Sequence, residues 1–145
     1  MYRISFIFLL TSIFCFSCTE NKKQDNTEKI LSTVSDTVPA KIKFIEKTVD
    51  LGTIFRGEVV ESYFEYENIG GQPLIISDVS ASCGCTSIVF DPGPLSPGKK
   101  QRIKVVFDST GLINNQYKTL KVKSNTYPSE TELILAAFVK INTNI

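Results

Sequence analysis

The sequence predicts an all-β domain, and three observations predict it. From Lys41 onward, runs rich in β-branched and aromatic residues are separated by Gly, Pro and Asn turns. No window repeats apolar residues at the helical period. Several runs alternate apolar and polar residues one by one, as in a sheet with one face in a core and the other in water. About seven to eight such strands over about 100 residues match an immunoglobulin-like β-sandwich, which we place at residues 41–142. A single β-barrel is the structural alternative.

The strands follow in order. Ile42 and Phe44, then Val49 and Leu51, mark opening strands, with bends at Gly52 and Gly57. In the run from Val59 to Asn68, Val60, Phe64 and Tyr66 are expected to face the core and Glu61, Glu65 and Glu67 to face water. Asn68-Ile69-Gly70-Gly71-Gln72-Pro73 has the composition of a turn. Leu74 to Val79 is the next strand, and Ile88-Val89-Phe90 follows a pair of cysteines. Asp91-Pro92-Gly93-Pro94 and Pro97-Gly98 form a rigid loop, after which Ile103, Val105 and Phe107 alternate with Arg102, Lys104 and Val106. Asp108-Ser109-Thr110-Gly111 turns the chain, and Leu120 and Val122 mark another strand. Leu133 to Val139 is apolar at every position, as expected of a strand covered on both sides. A domain of this size buries about two-thirds of its unfolded-chain surface, enough for independent stability.

The N-terminus reads as an export signal. Arg3 supplies a positive charge, and Ile4 to Phe16 is an apolar run broken only by hydroxyl residues and Cys15. At about a dozen residues it is short for a membrane span but has the length of a signal-peptide core. It ends in Cys15-Phe16-Ser17-Cys18, which resembles a bacterial lipoprotein box, although Cys15 stands where Leu is usual. The resemblance implies a signal peptide over residues 1–17, cleavage before Cys18, and lipid on the Cys18 sulfur. The alternative is a conventional signal peptide with Cys18 incidental. Two or three acyl chains, palmitate among them, hold a protein on a membrane where one does so only marginally. Residues 18–40 then form the lipidated cysteine and a polar, Ser/Thr-rich flexible tether. About 20 flexible residues reach roughly 25 Å, which lifts a domain clear of headgroups.

Composition removes several functions. Of 145 residues, 42% are hydrophobic and 21% charged, with a formal net charge of +1. Such balance leaves no footprint for nucleic acid. The chain has no histidine, so Ser-His-Asp and Cys-His nucleophiles and imidazole zinc sites are unavailable. Its single Met is the initiator, which rules out a Met-rich copper site.

Chemistry in the folded part concentrates at Ser82-Cys83-Gly84-Cys85-Thr86. In an extended strand the two Cys Cα atoms stand about 6.5–7 Å apart, and a disulfide prefers roughly 5.5–6 Å. Gly84 matters because it can adopt dihedrals that shorten that span. Four readings stay open. The leading one is a pair of small buried residues packed under a bend. The others are a strained local disulfide in an oxidising compartment, a Cu(I) site on two thiolates without His or Met to complete it, and a catalytic redox pair or a bridge between chains. A thiol catalyst wants a helix N-terminus or an adjacent cation, and the nearest cations in sequence are Lys99 and Lys100.

Other groups read as scaffold. Glu61, Glu65 and Glu67 fall on one solvated strand face rather than forming a pair of glycosidase acids. Asp78, Asp91 and Asp108 lie beside turns, where Asp caps backbone amides more often than it binds calcium. Gly70-Gly71 and Gly98 lack the spacing and following helix of a phosphate loop. Lys99, Lys100, Arg102, Lys104, Lys118, Lys121 and Lys123 read as solvent-facing strand positions and edge protection.

Asp50-Leu51-Gly52, Phe64-Glu65-Tyr66-Glu67-Asn68-Ile69-Gly70, Cys83-Gly84-Cys85-Thr86, Pro97-Gly98, Val106-Phe107-Asp108 and Ser124-Asn125-Thr126 together resemble the bacterial domain of unknown function 1573, over about Phe44 to Lys140. The departure is Asn114-Asn115, where many members place a Gly in a hairpin turn. The resemblance implies an Ig-like domain similar to the ASPM–SPD-2–Hydin group, often on a short lipoprotein, and no defined reaction. The expectation is a non-enzymatic lipoprotein of the cell envelope without a cofactor, anchored by lipid and facing the periplasm or the cell surface. It would present its domain to an unidentified envelope protein. The alternative is a thiol-redox or copper-handling protein using Cys83 and Cys85.

Overall fold

Eight strands form: β1 (Ile42–Phe44), β2 (Thr48–Phe55), β3 (Val59–Asn68), β4 (Ile76–Ala81), β5 (Thr86–Val89), β6 (Lys100–Asp108), β7 (Asn114–Ser124) and β8 (Glu130–Lys140). The computed structural model describes residues 38–142, all within one compact unit. The expected signal peptide, Cys18 and the tether up to residue 37 lie outside the described residues. No helix occurs among the described residues.

The strands make two four-stranded sheets, β1-β3-β6-β5 and β2-β8-β7-β4, so the fold is an open sandwich rather than a closed barrel. Pairing is antiparallel except at β2, which lies parallel to β8 with Thr48 opposite Ile134 and Phe55 opposite Lys140. Between the sheets lie Phe64, Tyr66, Ile103, Val105 and Phe107 from the first and Ile54, Ile76, Leu120, Val122, Leu133, Leu135 and Val139 from the second, all buried. Each such side chain contributes roughly 1.5–3 kcal/mol on burial. The alternation expected along β3 holds, with Phe64 and Tyr66 buried and Glu61 and Glu65 exposed.

Three expectations change. β8 is not covered on both sides: Leu133, Leu135, Ala137 and Val139 point inward, while Ile134 (40% exposed) and Phe138 (37%) sit on the outer face. A run of apolar residues does not distinguish a doubly covered strand from one whose outer face is also apolar. The basic residues do not guard edges either. β6 lies between β3 and β5, and β7 between β8 and β4. Lys100 and Lys104 instead pair with Glu67 and Glu61 across β3, and Lys121 with Glu130 and Glu132 across β8. Finally, Leu74 meets Leu95 only at an isolated bridge, and regular pairing of the fourth strand begins at Ile76.

The end of the expected tether packs on the domain. Ala40 is buried, and Gly71 N donates to the carbonyls of Val38 (3.0 Å) and Pro39 (3.3 Å). Gly70 makes this approach possible, because a Cβ there would collide with Pro39 O and stand 2.5 Å from Lys41 N. Asn114 adopts φ +64°, the left-handed region that Gly and Asn tolerate best, so the turn closes with Asn at the position singled out in the sequence.

The sandwich has two distinct ends. β3 finishes and β6 starts at the end where Val38–Ala40 joins, since Asn68 bonds Lys99 O there. At the other end Val59 pairs with Asp108.

Candidate functional site

Cys83-Gly84-Cys85 carries the chain from β4 in one sheet to β5 in the other, at the Asp108 end. Two backbone bonds fix the crossing: Ser82 N donates to Thr119 O (2.9 Å), and Asp108 N donates to Cys85 O (2.9 Å). The chain turns at Gly84 and Cys85, so the Cα atoms of the two cysteines are 5.3 Å apart rather than at the extended spacing, and their sulfurs are joined. Both cysteines are half-buried, and Cys85 packs against the core. Thr86 is buried, with Oγ1 3.6 Å from Cys83 Sγ and 3.9 Å from Cys85 Sγ.

The cations nearest the cysteines in sequence are not those nearest in the fold. Lys99 and Lys100 stand at the far end of β6 from Cys85. Two ionisable groups adjoin the crossing in register: Asp108, whose carboxyl is held below its usual range by the hydroxyl and amide of Thr110, and Lys118, next to the Thr119 whose carbonyl accepts from Ser82 N. Among the described residues no group of three His, Cys, Asp or Glu can hold a metal ion. Sulfurs joined to each other offer no thiolate to copper.

Two buried polar residues escaped the sequence reading. Asn68, expected only as a turn residue, is 0% exposed and ties three loops together. Its Nδ2 donates to Gln72 O (2.8 Å) and Leu95 O (2.9 Å), its Oδ1 accepts from Gly70 N (3.0 Å), and its carbonyl accepts from Gly98 N (2.8 Å). Its place on the inward parity of Val60, Phe64 and Tyr66 was the signal. Ser109 is equally buried, with Oγ 2.9 Å from the carbonyls of both Phe55 and Glu58, so its single proton is shared between them. Nearby turns use Asp as expected, Asp91 accepting from Gly93 N and Asp108 from Thr110 N. Asp78, by contrast, lies within β4.

This architecture, two antiparallel-rich sheets crossed at one end by a Cys-Gly-Cys turn, defines an Ig-like β-sandwich. The chain belongs to the protein family of unknown function DUF1573, whose profile matches residues 42–139. No curated protein matches the sequence. Among solved structures, the chain is similar to a protein of unknown function from Porphyromonas gingivalis W83, with TM-score 0.63, 16% identity, and coverage of 73% of this chain and 50% of that one. It is also similar to the ASH/PapD-like domain 7 of human CEP192 (TM-score 0.53, 15% identity, 73% and 88% covered). A third is the secreted serine protease VesC from Vibrio cholerae (TM-score 0.53, 16% identity, 68% and 23% covered). The chain thus spans half of the Porphyromonas protein and under a quarter of the protease. At these identities the likeness is one of fold.

Proposed function

We propose that the protein is a non-enzymatic lipoprotein of the bacterial cell envelope, anchored through Cys18, whose Ig-like domain binds an extended segment of an envelope protein. The observation that carries the reading is the free edge of β5. Its four residues keep unbroken register with β6, and the Asp108 N to Cys85 O bond sets the phase of that ladder. In that phase Thr86 and Ile88 turn their N–H and C=O groups away from β6, open to a partner strand. Val89, 61% exposed, stands beside them. The longer edges, β2 and β4, are broken by register shifts, between Asp50 and Thr53 in β2 and between Ile76 and Asp78 in β4, a device that blunts strand addition.

Cross-linking and affinity recovery of the full chain from its native envelope tests the reading. A stoichiometric protein partner whose recovery falls about tenfold with Val89→Lys is the expected result; recovery indifferent to Val89→Lys excludes β5 as the docking edge. Mass spectrometry of the mature N-terminus tests the anchor, and an unmodified Cys18 removes it.

The Thr86 hydroxyl close to both sulfurs favours a second reading, a thiol-redox site at Cys83 and Cys85. Two-electron reduction by a dithiol partner would open the bond to two thiols, with the buried hydroxyl placed to donate to the departing sulfur. Alkylation of the native protein after mild dithiol treatment tests it: two labelled cysteines support exchange, and none rules it out.

A further inference from the structure

The two outer sheet faces differ sharply. On β1-β3-β6-β5, acids of β3 pair with bases of β6, and Arg102 lies 4.3 Å from the ring centre of Tyr63. That face is self-satisfied and solvated. On β2-β8-β7-β4 the registers place three rows side by side: Thr119, Ile134 and Thr48; Tyr117, Ala136 and Asp50; Asn115, Phe138 and Thr53. The middle row holds the smallest side chain in its centre, so the surface dips over Ala136. Ile134 and Phe138 rise before and after it along β8, and Tyr117 and Asp50 rise on either side. The result is an open groove of about 420 Å³, which Gly52 and Ala137 also line, within the size range of small-molecule sites.

We infer that this groove binds one ring of a neutral oligosaccharide. Tyr117 is 71% exposed: β8 pairs it on one side, and on the other the β4 ladder has already ended at Leu120. With Phe138 it offers the flat apolar surfaces on which the C–H face of a sugar ring stacks. The rest of the lining is hydrogen-bonding and almost neutral. Among the described residues the side chains of Thr48, Thr53, Asn115 and Tyr117 have no hydrogen-bond partner, and Asp50 uses only Oδ1, accepting from Gly52 N at 2.8 Å. Hydroxyl, amide and carboxylate groups around an aromatic wall match a ligand that is apolar on its faces and hydroxylated around its rim. The single carboxylate is offset by Lys140, whose Nζ lies 6.0 Å from the Phe138 ring centre, so the groove has no net charge with which to select an ion. A cationic side chain is the competing occupant, since a ring facing a carboxylate also suits a lysine.

The groove and the β5 edge are separate surfaces: Val89→Lys leaves sugar binding unchanged, and Tyr117→Ala leaves recovery of a β5 partner unchanged. Calorimetric titration of the full chain with neutral β-1,4-linked gluco-, manno- and xylo-hexasaccharides, and with an acetylated Gly-Lys-Gly amide, tests the site. Saturable binding of at least one sugar is expected, weakened at least tenfold by Tyr117→Ala and several-fold by Asp50→Asn, which keeps an oxygen for Gly52 N. Tyr63→Ala, on the opposite face, leaves it unchanged. Saturation by none of the three sugars, binding that survives Tyr117→Ala, or binding of the lysine peptide alone overturns the assignment. Circular dichroism of each variant separates lost binding from lost fold.

Discussion

Asn68 shows how one buried amide holds loops that share no strand. Its side-chain and backbone partners belong to Gly70, Gln72, Leu95, Gly98 and Lys99, and a buried group deprived of its partner costs about 1–3 kcal/mol. Asn68→Ala strips partners from two carbonyls and an amide at once, so chemical denaturation of that variant is expected to show a loss of about 3 kcal/mol. Asn68→Asp fares no better, because a carboxylate would face two carbonyl oxygens. Tyr66 makes a pH-dependent contribution. Its hydroxyl donates to Gln101 Oε1 (2.9 Å), and burial, then the charge of Asp91, pushes its pKa up from 10.0 to about 12. The raised value stabilises the fold fully below pH 10 and is lost as pH climbs from 10 through about 12. Denaturation at stepped pH is expected to show wild type losing about 2–3 kcal/mol more over that window than Tyr66→Phe. The sequence announced that Tyr66 is inside, through the alternation of β3. Its partner Gln101 was hidden, because the pairing Tyr66–Gln101 joins positions on different strands.

At the scale of the element, the junction between Val38–Ala40 and the Gly70-Gly71 turn is where composition and structure part. Those three residues look like tether because their neighbours are polar, yet Ala40 enters the core. The reason is the missing Cβ at Gly70, a feature thirty positions away from the segment it admits. Gly70→Ala forces the backbone of Pro39 to Lys41 outward, since the atoms it would meet are main-chain and unable to swing aside. A fall in melting temperature of about 5–10 °C, matching roughly 1–2 kcal/mol in a domain of this size, is the expected outcome in thermal unfolding. Strand existence was legible throughout, from β-branched content and turn residues. Which face of β8 is covered was not, because Ile134 and Phe138 are as apolar as the core residues between them. The crossing at Cys83 and Cys85 was legible as a bend, but the bonded pair was only one of four readings, behind the leading one of two packed thiols, since the closing geometry depends on dihedrals that Gly84 leaves open.

For the molecule as a whole, charge contributes little to stability. Sixteen basic and fifteen acidic residues nearly cancel, and the ion pairs of Glu61, Glu67, Glu130 and Glu132 with lysines are partly exposed, each contributing about 0–1 kcal/mol. Unfolding free energy measured in 0.05 M and 1 M sodium chloride is therefore expected to differ by less than about 1 kcal/mol; a larger drop would mean that the β3–β6 charge ladder supports the fold. The sandwich itself followed from strand count and spacing, whereas the parallel partnership of β2 with β8 left no trace in either segment, because pairing direction is set by the path of the chain between them. That partnership also imposes an order of events. β2 emerges from the ribosome near the start of the domain and must wait for the final strand before its backbone finds a mate. The second sheet thus cannot close on a half-made chain. On the envelope location proposed above, that order would keep the second sheet open until β8 has followed β2 to the far side of the membrane.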